Sequence, residues 1–213
     1  MFCVGVLALQ GSFAEHLKCL DFLGIKAIAV KTLQQAKLCQ AFIIPGGEST
    51  VIARLMQQEG LLDYIRDQHQ KFGAAVWGTC AGAIICAKQA QPKVAYHLGL
   101  IDVQVERNGY GAQLHSAITE LYTCNTNASL GKAVLIRAPK FINIGKSVTA
   151  LVQDQQSNVL SLASKRCLIT SFHPELLPSQ GFNWHTWFVE IAQAKHLEFT
   201  NIDASFVIDR GVG

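Results

Sequence analysis

The chain has 213 residues, 50% of them hydrophobic and 15% charged, which suffices for one sizeable core and suits strands buried on both faces of a sheet. Its 18 Lys and Arg against 15 Asp and Glu leave a formal charge of +3, and no dense basic block supports a nucleic-acid footprint. No apolar run reaches the ~18 residues of a membrane span and the start lacks a basic leader with a cleavage site, so a cytoplasmic protein without a membrane partner is expected.

In chain order, the first half alternates strand-like and helix-like segments. "CVGVLAL" is followed by the helical "SFAEHLKCLDFLG", "KAIAVK" by a short polar helix, and "AFIIP" by one long helix over "ESTVIARLMQQEGLLDYIRDQHQKFG". "AAVW" then leads into a helix after Cys80. Repeated units of this length imply a parallel sheet with helices on both faces. Gly24 and Gly73 stand where helices should end. From Leu98 onward the segments "LGLIDVQVER", "AITELYTC", "KAVLIRA", "SVTALVQ", "NVLSLAS" and "RCLITSF" read as strands between Gly/Asn/Ser turns, adding antiparallel pairing to the same sheet or to a small one beside it. The last readable element is a helix over "GFNWHTWFVEIAQAK", where Trp184, Trp187, Phe188 and Ile191 form a core-facing stripe.

The 7 cysteines lack C-x-x-C spacing and the 7 histidines lack an H-x-x-x-H pair, so no disulfide framework, metal site or cofactor is expected. One cysteine stands apart. Gly78-x-Cys80-x-Gly82 has the form of a nucleophile elbow, in which small neighbours let a strand turn sharply into a helix and expose the nucleophile at the sheet's carboxyl edge. Free N–H groups at a helix start favour a thiolate and can hold an oxyanion. Taken alone, the motif fits a buried cysteine in a tight turn equally well.

A cysteine nucleophile needs a base with an orienting acceptor. In "CLITSFHPEL", His173 and Glu175 lie two apart at the end of an apolar strand, and an extended segment would point both the same way. By itself this is a His-Pro turn with a solvated glutamate; with Cys80 it makes a Cys-His-Glu set. "AFIIPGGEST" is a third strand ending in glycines, whose Gly47 could supply an oxyanion donor ahead of a capped helix.

Together, "LALQGSFAEH", "IIPGGEST", "WGTCAG", "HLGLIDVQVERNGYG", "LIRAP" and "SFHPEL" resemble, in order, the glutaminase subunits of pyridoxal 5'-phosphate synthase, the PdxT/SNO family of class I glutamine amidotransferases. The resemblance implies a flavodoxin-like α/β fold, a mostly parallel central sheet with added antiparallel strands. It covers residues 1–195 as one amidotransferase domain and leaves 196–213 as a tail without an assigned role. It also implies hydrolysis of L-glutamine by Cys80, with His173 as base, Glu175 as its partner, and Gly47 and Ala81 as oxyanion donors. Glutamine would be bound by Gly47, Glu48, Ser49, Arg107, Ile136 and Arg137; from the residues alone, Arg107 reads as a solvated strand-end charge. The implied partner is a (β/α)8-barrel synthase subunit that takes up the ammonia, with Gln10 bracing the Gly46-Gly47 peptide on docking. A glutaminase serving imidazole glycerol phosphate or purine synthesis is the nearest rival. Two features depart from the family pattern: Gly109-Tyr110 replaces Ser-Phe, and the chain runs on past Lys195.

Overall fold

The computed structural model describes every residue except 1, 110–115, 178–180, 195, 203–206 and 209–213. The first half contains β1 (Val4–Leu7), α1 (Phe13–Phe22), β2 (Ala27–Val30), α2 (Leu33–Ala36), β3 (Ala41–Ile44), α3 (Ser49–Gln58), α4 (Leu61–Phe72), β4 (Ala75–Thr79) and α5 (Ala81–Cys86). The second half contributes β5 (Ala87–Gln91), β6 (Ile101–Glu106), β7 (Ser116–Thr123), β8 (Ser129–Ile136), β9 (Lys140–Ile142), β10 (Thr149–Gln153), β11 (Val159–Ser164), β12 (Cys167–Thr170) and α6 (Trp184–Gln193).

The main sheet has nine strands in the order β2-β1-β3-β4-β12-β11-β10-β7-β8. Pairing is parallel from β2 through β12 and antiparallel from β12 to β8. β1, β3, β4 and β12 are buried along their whole length, because helices cover both faces. Alternation sorts their side chains. Phe42, Ile44, Val76 and Ile169 pack with Ile52, Met56 and Ile65 from α3 and α4, while Val6, Ile43, Trp77 and Leu168 pack with Leu20 of α1 and Trp187 and Phe188 of α6.

The expected α/β architecture is present, with four local differences. The long helix is two, because Gly60 adopts φ +68 and ends α3 in a left-handed turn. Gly24 and Gly73, also at φ +68, end α1 and α4 as expected. β12 is parallel to β4, not antiparallel to its neighbours on both sides: the meander through β10 and β11 reverses once more before entering beside β4. β5 and β9 had no strand signal; with β6 they form a separate three-stranded sheet, and the polar "AKQAQ" of β5 becomes a strand only through that pairing. Beyond α6, Phe199 is buried against Trp187 and Phe188, and its N–H donates to Lys165 O. Arg166 holds the same corner by donating to Gly73 O, Ala192 O, Ala194 O and Leu197 O. The Trp184, Trp187, Phe188 and Ile191 stripe is buried, as expected of core.

Candidate active site

Three parallel strands end at one edge and each releases a functional segment there: Gly46–Glu48 after β3, Cys80 after β4 and His173 after β12. β1 ends beside them and leads through Gln10 and Ser12 into α1. This is the carboxyl edge of an open parallel sheet, where ligands bind in such folds.

Cys80 sits at φ 48, ψ −104, a strained conformation for a residue with a side chain. Its N–H donates to Thr170 O, and Ala83 is the first residue of the following turn to donate back to Cys80 O, so the N–H groups of Ala81 and Gly82 stay outside the helical ladder. The flanking glycines are required by space. A Cβ on Gly78 would collide with Gly82 O, and one on Gly82 with Ile44 O, which lets α5 press against the backbone of β3. The strand therefore ends with the thiol turned into an open pocket, 7% exposed, with Sγ 3.6 Å from Ile136 O.

His173 meets Glu175 as expected, Nδ1 to Oε1 at 2.8 Å, but by a different route. Pro174–Leu176 is a 3-10 turn rather than extended backbone, and proline pre-sets its first position. His173 itself is held by donating its N–H to Val134 O of β8. Burial works against a charged His173, but hydrogen bonds with Cys80 and Glu175 and the charges of both outweigh it, pushing the pKa up to about 10. Burial likewise works against a charged Glu175; His16, His173 and Ser12 outweigh it and hold the carboxyl at about 2.

That shift has a consequence for stability. A carboxyl depressed from 4.5 to about 2 on folding contributes stability that is full above pH 4.5 and lost as pH falls toward 2, worth about 3 kcal/mol at neutral pH. Urea midpoints of the wild type should drop steeply over that window, and those of Glu175→Gln should be lower at pH 7 but shallower in their acid dependence. Parallel acid limbs for the two proteins would show that Glu175 is not the group responsible.

A pocket of about 700 Å³ opens over these residues, lined by Gly47, Glu48, Ser49, Cys80, Ala81, Arg107, Ile136, Arg137 and His173, together with Gly11, Ser12, Gly46, Ile84 and Asn108. Every residue expected to touch glutamine or an oxyanion thus lines one cavity, although Arg107 and the Gly47 loop are far apart in sequence. Arg107 donates to Glu48 Oε1 at 3.0 Å, while Glu48 also caps α3 through Thr50. It is not a free strand-end charge. Gln10 lies just behind the lining and accepts from the Glu48 N–H at 2.7 Å. A Cβ on Gly46 would strike His173 Cε1, and one on Gly47, at φ +155, the Gln10 amide oxygen. Gly109 leaves no room for a side chain against Lys140 Cβ of β9, so the loop after Arg107 packs directly on that strand; Tyr110 lies outside the described residues.

Sequence reasoning missed Ser12, whose hydroxyl donates to Glu175 Oε1 at 2.7 Å, and His16, which lies 3.4 Å from Glu175 Oε2. The available signal was a histidine on the buried face of an amphipathic helix that follows "LQG".

Residues 6–194 match the model of the SNO glutamine amidotransferase family. The chain belongs to that family. It is 38% identical over 193 residues to the pyridoxal 5'-phosphate synthase subunit PdxT of Brevibacillus brevis, covering 89% of this chain and 97% of the relative. Against the protein of the same name from Pseudothermotoga lettingae it is 41% identical over 195 residues, covering 91% and 97%. The crystal structure of a glutamine amidotransferase superposes with a TM-score of 0.81 at 37% identity, over 89% of this chain and 98% of that one. The structure of PurLQS from Thermotoga maritima superposes with a TM-score of 0.61 over 83% and 88% of the two chains; at 15% identity it shares the fold alone. As a glutamine amidotransferase of this family the chain is an enzyme, and its α/β fold is the one the class I enzymes use. Among its described residues no helix is long and apolar enough to cross a membrane.

Proposed function

We propose that this chain is the glutaminase subunit of a pyridoxal 5'-phosphate synthase, that residues 1–195 form its amidotransferase domain with 196–213 as a C-terminal tail, and that it works in the cytoplasm. The observation that carries the reading is the Cys80, His173 and Glu175 line opening into a pocket that also holds Glu48 and Arg107, in a chain alike over nearly its whole length to relatives named as synthase subunits. The purine-type rival has only a fold likeness behind it.

In this reading Cys80 Sγ attacks the side-chain amide carbon of L-glutamine, and the oxyanion is received by the N–H groups of Gly47 and Ala81. His173 gives its proton to the departing nitrogen, which leaves as ammonia. Water then attacks the glutamyl thioester, passing a proton to His173, and Cys80 is released with L-glutamate. Glu175 keeps the His173 proton on Nδ1 and balances the imidazolium. Glu48 and Arg107, paired at the pocket wall, suit the ammonium and carboxylate of an amino acid; Ser49, Ile136 and Arg137 line the remaining wall. No metal or cofactor enters any step.

The ammonia goes to a (β/α)8-barrel synthase subunit, and docking of that subunit switches the oxyanion site. Gly46 O accepts the Ser12 N–H, so turning the Gly46-Gly47 peptide means breaking that bond while Gln10 keeps hold of Glu48 N–H. A missing oxyanion donor costs about 10²–10³ in rate. Steady-state ammonia release from glutamine should therefore rise by that factor when the barrel subunit is added, and Gln10→Ala should lose most of the rise. Equal rates with and without the barrel subunit would refute partner gating, and no glutamine turnover in either state would refute the function.

A further inference from the structure

Behind Glu175, away from the pocket, lies a buried polar cluster that none of the steps above uses. His16 of α1 is fully buried, with Nδ1 2.9 Å from His185 Nε2 of α6 and Nε2 3.3 Å from Thr79 Oγ1. The same Nε2 lies 3.4 Å from Glu175 Oε2. Trp77 packs edge-on against the His16 ring at 5.7 Å and against His185 at 5.1 Å, so the imidazole has little freedom to turn.

The two oxygens of Glu175 are served unequally. Oε1 takes the Ser12 hydroxyl and His173 Nδ1. Oε2 is buried without a hydrogen bond of good geometry, and the polar atom facing it is His16 Nε2. A buried carboxylate oxygen with no donor is the place where a proton would add, and a protonated Glu175 could no longer balance an imidazolium on His173.

We propose that His16 is a positioning residue for the Cys80–His173–Glu175 set: its Nε2–H, shared between Thr79 Oγ1 and Glu175 Oε2, opposes protonation of Oε2 and fixes the carboxylate plane. The tautomer follows. Both neighbours of Nε2 can accept, so Nε2 carries the hydrogen, Nδ1 is the acceptor, and His185 donates from Nε2. Burial favours this neutral form by lowering the His16 pKa, and it holds His185 neutral down to about 3. Since Thr79 directly precedes Cys80, one ring braces both the elbow and the partner of the base.

The charged or titratable groups facing this cluster come from every element around it: Glu15 beside His16 on α1, Cys19 of α1, whose thiol points at Glu175 O, His185 on α6, and His173 and Cys80 at the strand ends. The inference rests on the proposed glutaminase reading, so two readouts are needed. The first is kcat, KM and the pH profile of ammonia release by the complex with the barrel subunit. The second is the pH dependence of Cys80 alkylation by iodoacetamide, which requires no glutamine turnover.

His16→Asn can reach His185 but not Glu175, whereas His16→Gln places an amide N–H near the position of Nε2. His16→Asn is expected to lower kcat about 10- to 100-fold, with KM changed by less than about threefold and the acid limb of both profiles moved up by about one pH unit. His16→Gln should recover most of the kcat and restore the limb. A merely structural histidine would lower melting temperature in both variants without moving the limb. The inference is overturned if folded His16→Asn keeps wild-type kcat and acid limb, or if folded His16→Gln is as impaired as His16→Asn. Should His16→Asn not fold, the limb of His16→Gln decides: unchanged from wild type it supports the role, displaced as if no donor were present it overturns it. If wild type fails to turn over glutamine but the alkylation limb still depends on residue 16, the function fails while the positioning role stands.

Discussion

Cys80→Ala is expected to reduce ammonia release from glutamine by at least about 10⁴-fold, the scale on which loss of an enzymatic nucleophile usually falls. The effect should be chemical rather than structural. The thiol makes one weak contact, to Ile136 O at 3.6 Å, and alanine keeps the Cβ in the same strained turn, so the variant should melt close to the wild type. Steady-state rates in the presence of the barrel subunit, measured against an enzyme-free blank, provide the check. Substantial turnover by Cys80→Ala would remove Cys80 from the reaction and leave the elbow as a structural turn.

His173→Asn is expected to cost about 10²–10⁴-fold in kcat with a smaller change in KM, the usual value of general acid–base help. The asparagine can still donate toward Glu175, so the buried carboxylate is not stranded and the fold should hold. What disappears is the proton carrier and the partner that keeps Cys80 charged. Iodoacetamide labelling of Cys80 at pH 7 should slow in parallel. Normal labelling together with a normal kcat would mean that another group serves as base.

Some of this molecule was legible along the chain because its signals are local. The apolar runs at "CVGVL", "AFII", "AAVW" and "CLIT" are strands because each buries both faces, and Gly24 and Gly73 end helices through a backbone conformation that glycine adopts without strain. The elbow at Cys80 was legible for the same reason: the crowding that forbids a Cβ at Gly78 arises within the turn, from Gly82 O. The 3-10 turn after His173 was missed because a His-Pro-Glu sequence fits an extended segment as well as a tight one, and the bond to Val134 that selects the turn comes from a distant strand. The break at Gly60 was missed because the apolar period continues through it.

What the sequence by itself determined is the set of elements and the chemical types at their ends: a thiol in a glycine elbow, a histidine with a carboxylate two residues on, and a glycine pair before a capped helix. Which of these meet was decided only by tertiary structure. Ser12 reaches Glu175 across 163 positions, His16 reaches His185 across 169, and Arg107 reaches Glu48 across 59. The physical reason is that strand order and direction depend on packing the whole sheet between two helical layers. Once β1, β3, β4 and β12 lie side by side and parallel, their carboxyl ends converge on one edge, and residues with no local tie become neighbours in a single pocket.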